Sequence, residues 1–167
     1  MTALLDLASL TPLLVALADA LRARGWKMAA AESCTGGLIA AACTSLAGSS
    51  DWFERGFVSY SNAAKIELLG VDAALIAQHG AVSEAVACAL AAGALARSPA
   101  DIAVAVTGIA GPGGAVPGKP VGTVWLALAE RGTSPVAARL QLTGDRASVR
   151  EQTLVIALQR LLDRCQA

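Results

Sequence analysis

Apolar positions recur at helical spacing in Leu13, Leu14, Leu17 and Leu21, behind a Thr11-Pro12 start signal, and Gly25 ends the stripe. Trp26 to Ala31 then reads as a short buried strand. Ser33-Cys34-Thr35-Gly36-Gly37 turns the chain into a helix over Leu38–Leu46 that ends near Gly48. Gly56–Ser61, with Phe57 and Val58, predicts a second strand, and Ser61-Asn62 caps a short helix stopped by Gly70. Ala73–Gln78 predicts another short helix before Gly80, and Ser83 caps a long alanine-rich helix to Arg97. The β-branched apolar run Ile102–Val106 suits a central strand. Val121–Ala129 and Val136–Leu142 form a hairpin around a turn at Gly132–Pro135, and Asp145 caps a last helix carrying Val149, Leu154, Ile156, Leu158, Leu161 and Leu162. Alternating strands and helices followed by a hairpin predict an α/β fold, a three-layer α/β/α sandwich with a mixed β-sheet. No boundary, repeat or low-complexity segment divides residues 1–167, so a single domain is expected.

Composition narrows the functional classes. Apolar residues make up 55% of the chain and charged residues 16%, which argues for a packed core, and the abundance of alanine argues for close helix packing. The 13 basic and 13 acidic residues cancel, leaving no surplus to neutralise nucleic-acid phosphates; a compact anionic metabolite needs only one or two arginines. Cys34, Cys43, Cys88 and Cys165 show no CxxC spacing, and His79 is the sole histidine, so no metal site is expected and the thiols read as reduced cytoplasmic residues. Met1–Leu21 contains Asp6 and Asp19 and lacks a basic start, unlike a secretory signal, and no apolar run is long enough to span a membrane.

Two glycine motifs mislead. Gly113 to Lys119 matches GxxxxGK, but Pro120 stands where a magnesium-binding hydroxyl belongs and a strand follows in place of a helix. Gly108, Gly111, Gly113 and Gly114 miss the spacing of a dinucleotide-binding turn. The Gly108–Pro120 stretch is a loop, suited to form one wall of a site.

Three short segments carry candidate chemistry. Ser33 and Thr35 sit at a strand-to-helix turn, with Gly36 and Gly37 permitting close approach and unpaired N–H groups at the helix start favouring an anion or oxyanion. That segment alone fits a helix cap as well as a nucleophile. With Asn62 as N-cap, Lys65 lies about three residues into a helix, where the dipole and burial favour the neutral amine over the cation and so a base. Tyr60 is the only tyrosine. Arg146, beside the cap Asp145, opposes its helix dipole unless an anion bridges it to the backbone. With a single histidine, a Ser-Lys pair is the serine-based option that remains, and Cys34 is the rival nucleophile.

The segments Ala31-Glu32-Ser33-Cys34-Thr35-Gly36-Gly37, Tyr60-Ser61-Asn62-Ala63-Ala64-Lys65, Gly80-Ala81-Val82-Ser83, Ala105 to Pro112, Lys119 to Val124 and Gly144-Asp145-Arg146 occur in this order. Together they resemble the C-terminal domain of the CinA family, the nicotinamide-nucleotide amidase domain, from about Leu13 to Leu162. The resemblance implies a serine–lysine amidohydrolase that converts nicotinamide mononucleotide and water to nicotinate mononucleotide and ammonia, without cofactor or metal. It puts the nucleophile on Ser33, the base on Lys65 and a supporting tyrosine on Tyr60. For the ribose phosphate, Arg146, Thr107 and the loop from Gly108 are the candidates, with Thr35, Gly36 and Gly37 around the reacting carbonyl. Ala85, Ala115 and Val116 depart from the family pattern outside this chemistry. The larger members' pyrophosphatase domain is not expected here. A cytoplasmic homodimer acting on a small molecule, with no nucleic-acid or membrane partner, is the expectation; the alternatives are a non-catalytic nucleotide sensor and a competence- or DNA-damage-associated interaction protein.

Overall fold

The computed structural model describes residues 6–167; residues 1–5, part of the segment judged unlike a signal peptide, lie outside them. In chain order the elements are α1 (Thr11–Arg24), β1 (Met28–Glu32), α2 (Leu38–Ser45), β2 (Phe53–Val58), α3 (Asn62–Leu69), α4 (Ala73–His79), α5 (Glu84–Ala96), β3 (Ile102–Gly108), β4 (Thr123–Glu130), β5 (Val136–Gln141) and α6 (Arg146–Gln166). Short 3-10 turns at Leu7–Leu10 and Ser49–Asp51 precede α1 and β2.

The strands form one sheet in the order β2-β1-β3-β4-β5. β1 runs parallel to β2 and β3, whereas β4 is antiparallel to β3 and β5, which makes the sheet mixed as the sequence predicts. Its two faces differ in side-chain size. Met28, Ala30, Ile102, Val104, Val106 and Leu126 pack against leucines of α1 and α6 and Ile39 of α2. The opposite face offers Ala29, Ala31, Ala103, Ala105, Ala127 and Ala129, with half-buried Phe57 and Trp125 packed beside them, and α5 lies over it through Val86, Ala87, Leu90, Ala91 and Ala94. Where only alanine side chains separate them, helix and sheet approach closely, as dense interiors require. The same closeness holds between α5 and α3, where a Cβ added to Gly93 would stand 2.1 Å from the Leu69 carbonyl oxygen.

β2 begins and ends about three residues earlier than the sequence suggests. Gly56, read as its start, lies in its middle, paired with Ala30. A Cβ there would come within 3.1 Å of the Ala40 methyl group, so glycine marks the close passage of α2. The cap of α3 is Ser61, whose side chain accepts from the Ala64 N–H; Asn62 is the first helical residue. From β1 the chain passes through α2 to β2 on one side, then returns through α3, α4 and α5 to β3 on the other. Such a reversal opens a crevice at the carboxyl ends of the strands.

Candidate active site

Ser33 follows the last residue of β1 and is buried, with its N–H extending the ladder to Val106 O at 3.2 Å. Its Oγ donates to the carbonyl oxygen of Ser59, just beyond β2, at 3.0 Å. The same oxygen accepts from Lys65 Nζ at 2.9 Å, and Tyr60 O accepts from Nζ at 3.0 Å. Lys65 reaches back from the first turn of α3 and is only 2% exposed. Burial pushes its amine below the ordinary 10.5, and among the described residues no carboxylate pairs with it. A neutral amine has two N–H groups, which the two carbonyls match, and its lone pair is left free.

The turn between β1 and α2 holds a residue whose role the sequence reading missed. Glu32, fully buried, accepts from Thr35 Oγ1 at 2.7 Å, from the N–H groups of Gly37 and Ile39 at 3.0 Å each, and from that of Ala40 at 2.9 Å. The open amides expected at the start of α2 are therefore already filled by an internal carboxylate, which also complements the helix dipole. Gly36 donates to Ser33 O at 3.1 Å, so neither Gly36 nor Gly37 has a free N–H. Among the described residues, the turn amides without a backbone or side-chain oxygen acceptor are those of Cys34 and Thr35. A visible signal was available: one carboxylate ends an otherwise apolar strand, five residues ahead of a glycine that cannot cap a helix with a side chain.

A cleft of about 150 Å³ opens beside the serine, lined by Ser33, Tyr60, Lys65, Thr107, Gly108 and Arg146 among others. Six of the nine expected site residues thus meet there. Thr35, Gly36 and Gly37 are not among its lining: the Thr35 hydroxyl and the Gly37 N–H bind Glu32 and the Gly36 N–H binds Ser33 O, which leaves only the Thr35 N–H of these three unpaired. Arg146 donates to Gly111 O at 3.0 Å and to the Tyr60 hydroxyl at 3.3 Å, tying the start of α6 to the loop after β3. The Tyr60 ring is largely exposed, and it is this residue's backbone carbonyl that meets Lys65. Thr107 Oγ1 donates to Ala81 O at 2.9 Å, fixing the wall formed by Ala81 and Val82. Asn62 also lines the cleft.

Cys34 also lines the cleft, but it packs with Ala110, Val124 and Val149, and burial pushes its thiol up to about 11, which disfavours the thiolate a cysteine nucleophile needs. Arg150, one turn after Arg146, donates to Cys34 O at 3.1 Å and to Thr35 O at 3.0 Å. In the glycine-rich loop, Lys119 Nζ donates to His79 O at 2.8 Å and so closes the end of α4, a structural task unlike that of a phosphate-binding lysine.

Residues 10–165 match the family model of the CinA C-terminal domain. The chain is 54% identical to nicotinamide-nucleotide amidohydrolase PncC of Enterobacter agglomerans over 148 residues, covering 89% of this chain and 90% of that protein. It is 52% identical to the protein of the same name from Escherichia coli K12 over 143 residues, 86% of this chain and 87% of the other. Among solved structures, competence/damage inducible protein CihA from Agrobacterium tumefaciens superposes with a TM-score of 0.91 at 40% identity over the whole of both chains. A CinA superfamily protein from Klebsiella pneumoniae 700603 gives 0.89 at 41% identity, covering 93% of this chain and 96% of its own. Motifs, fold and relatives agree: this chain belongs to the CinA family, as a member of its C-terminal domain group.

Proposed function

We propose that this protein is a serine–lysine amidohydrolase that hydrolyses nicotinamide mononucleotide to nicotinate mononucleotide and ammonia. The observation that carries this reading is the convergence of Ser33 Oγ and Lys65 Nζ on one carbonyl oxygen, beside a cleft that also holds Arg146. The names of the relatives support the substrate, and their coverage supports one functional unit over the chain.

In the mechanism, the Ser33 hydroxyl rotates from Ser59 O toward the lone pair of neutral Lys65. Lys65 takes the proton as Oγ attacks the carboxamide carbon. The N–H groups of Cys34 and Thr35 are the donors left for the oxyanion, and each such donor lowers the barrier by about 3 kcal/mol. The C–N bond breaks as protonated Lys65 gives its proton to the leaving amino group, which departs as ammonia. Water then attacks the acyl-enzyme, Lys65 accepts its proton, the ester C–O bond breaks, and Ser33 recovers the proton. Arg146 holds the phosphate in place of its present contact with Tyr60. No helix among the described residues is long and apolar enough to cross a membrane, and four free thiols suit a reducing cytoplasm, where we place the enzyme as a homodimer.

Ammonia release measured over nicotinamide mononucleotide, its nucleoside and free nicotinamide tests this reading. Turnover is expected for the nucleotide and much weaker for the other two. Binding without turnover of any carboxamide would instead favour a sensor.

A further inference from the structure

Glu32 and Arg150 both bind the Ser33 turn and sort its backbone groups by polarity. Glu32 has only donors around its carboxylate: one hydroxyl and three N–H groups at 2.7–3.0 Å. Arg150 has two carbonyl oxygens, those of Cys34 and Thr35. Neither Glu32 nor Arg150 lines the cleft, whereas Ser33 and Cys34 do.

The two carbonyls that Arg150 binds belong to particular peptide units. The Cys34 carbonyl shares its plane with the Thr35 N–H, one of the two amides left without an acceptor. The Thr35 carbonyl shares its plane with the Gly36 N–H, which donates to Ser33 O. A cation on the oxygen end of a peptide polarises its N–H end, so Arg150 both orients the Thr35 amide and strengthens it as a donor. Glu32 restrains the following units through Gly37, Ile39 and Ala40, which stops the turn from rotating away.

We infer that Glu32 and Arg150 are positioning residues for the reaction, an opposite-charge clamp that presets the turn for Ser33 attack and oxyanion binding. The inference rests on the serine–lysine reading above. Neither side chain touches substrate, so the clamp acts on the barrier and leaves ground-state binding alone. Misplacing a reacting group by about 1 Å costs about 10²-fold.

The test compares Arg150→Met, which keeps an unbranched apolar stem, with Arg150→Lys and Glu32→Gln. All are measured with nicotinamide mononucleotide and, separately, for the rate at which a sulfonyl fluoride modifies Ser33, read by intact mass. Arg150→Met should lower kcat by about 10- to 100-fold with KM within about twofold, and should slow Ser33 modification. Millimolar guanidinium should restore part of both rates in Arg150→Met, and Arg150→Lys should keep part of kcat because one ammonium bridges two carbonyls poorly. Glu32→Gln places N–H against N–H and should lose more, in folding as well as in rate. Unchanged kcat and unchanged Ser33 modification in Arg150→Met would overturn the clamp whatever Glu32→Gln does. A rise in KM alone would overturn it too. If the unmodified protein fails to release ammonia yet reacts at Ser33 more slowly in Arg150→Met, the substrate reading falls and the clamp stands; if Ser33 does not react at all, both fall.

Discussion

Ser33 and Lys65 share one acceptor, the carbonyl oxygen of Ser59, at 3.0 and 2.9 Å. The pair is thereby held in register by a backbone atom between β2 and α3. The lysine keeps its two carbonyl partners whichever way the serine hydroxyl turns.

The first consequence concerns pH. Burial lowers the Lys65 pKa, and the reaction needs the neutral amine. The kcat/KM should therefore rise with pH and level off at an apparent pKa below the ordinary 10.5 of lysine. Stability follows with the same sign: the unfolded chain holds this proton more tightly, so the cost of burying Lys65 is present in full below the folded pKa. It is relieved as pH rises from the folded toward the unfolded value. A rate profile flat from acid through alkaline pH, or one still rising beyond 10.5, would count against Lys65 as a base with a depressed pKa.

Ser33→Ala and Lys65→Ala should each reduce ammonia release by about 10³-fold or more while circular dichroism stays native. Cys34→Ala should keep most of the activity, and iodoacetamide at neutral pH should leave the enzyme working, because burial holds the thiol protonated. Rapid inactivation that substrate prevents would transfer the nucleophile to Cys34.

Arg146→Ala should raise KM for the nucleotide about 10- to 100-fold, in line with loss of a hydrogen bond to a charged group, and change KM for the phosphate-free nucleoside little. Tyr60→Phe removes only a hydroxyl that meets Arg146, so its effect should appear in KM. A large fall in kcat for Tyr60→Phe would show that the hydroxyl relays a proton.

Gly93→Ala inverts a familiar rule. Replacing a helix glycine by alanine ordinarily stabilises by up to about 1 kcal/mol. Here the new Cβ would meet the Leu69 carbonyl at 2.1 Å, and a backbone atom at the end of α3 cannot move aside cheaply. A loss of about 1–3 kcal/mol is expected, lowering Tm by about 2–4 °C for each kcal/mol. Thermal unfolding of the purified variant reads this directly.

Much of the fold was legible where one-dimensional signals are strong. Pro12 and Gly25 bracket α1, Ser83 and Asp145 cap α5 and α6, and the β-branched residues of β3 mark a strand buried on both faces. β2 was misplaced because it is an edge strand with exposed Arg55, Gly56 and Val58, so neither alternation nor continuous hydrophobicity marks it. In the site, Lys65 and Arg146 stood out because each is a cation at the start of a helix, whereas Ser33 alone fits a helix cap and was singled out by the ordered motifs around it. Glu32 was not, since its partners become visible only after the turn has folded around it. Arg150 stands one turn after Arg146, but its targets lie more than a hundred residues away in the chain, beyond the reach of any local pattern.

The alanine face of the sheet makes α5 a lever. Any side chain enlarged on that face can be accommodated only by lifting the helix. The N-cap of α5 is Ser83, and Ala81 and Val82 in the cleft wall stand immediately before it. A methyl group added at Ala103 or Ala129 would therefore reach the reaction as a displaced wall. Distant core substitutions on this side should alter substrate fit before they unfold the protein.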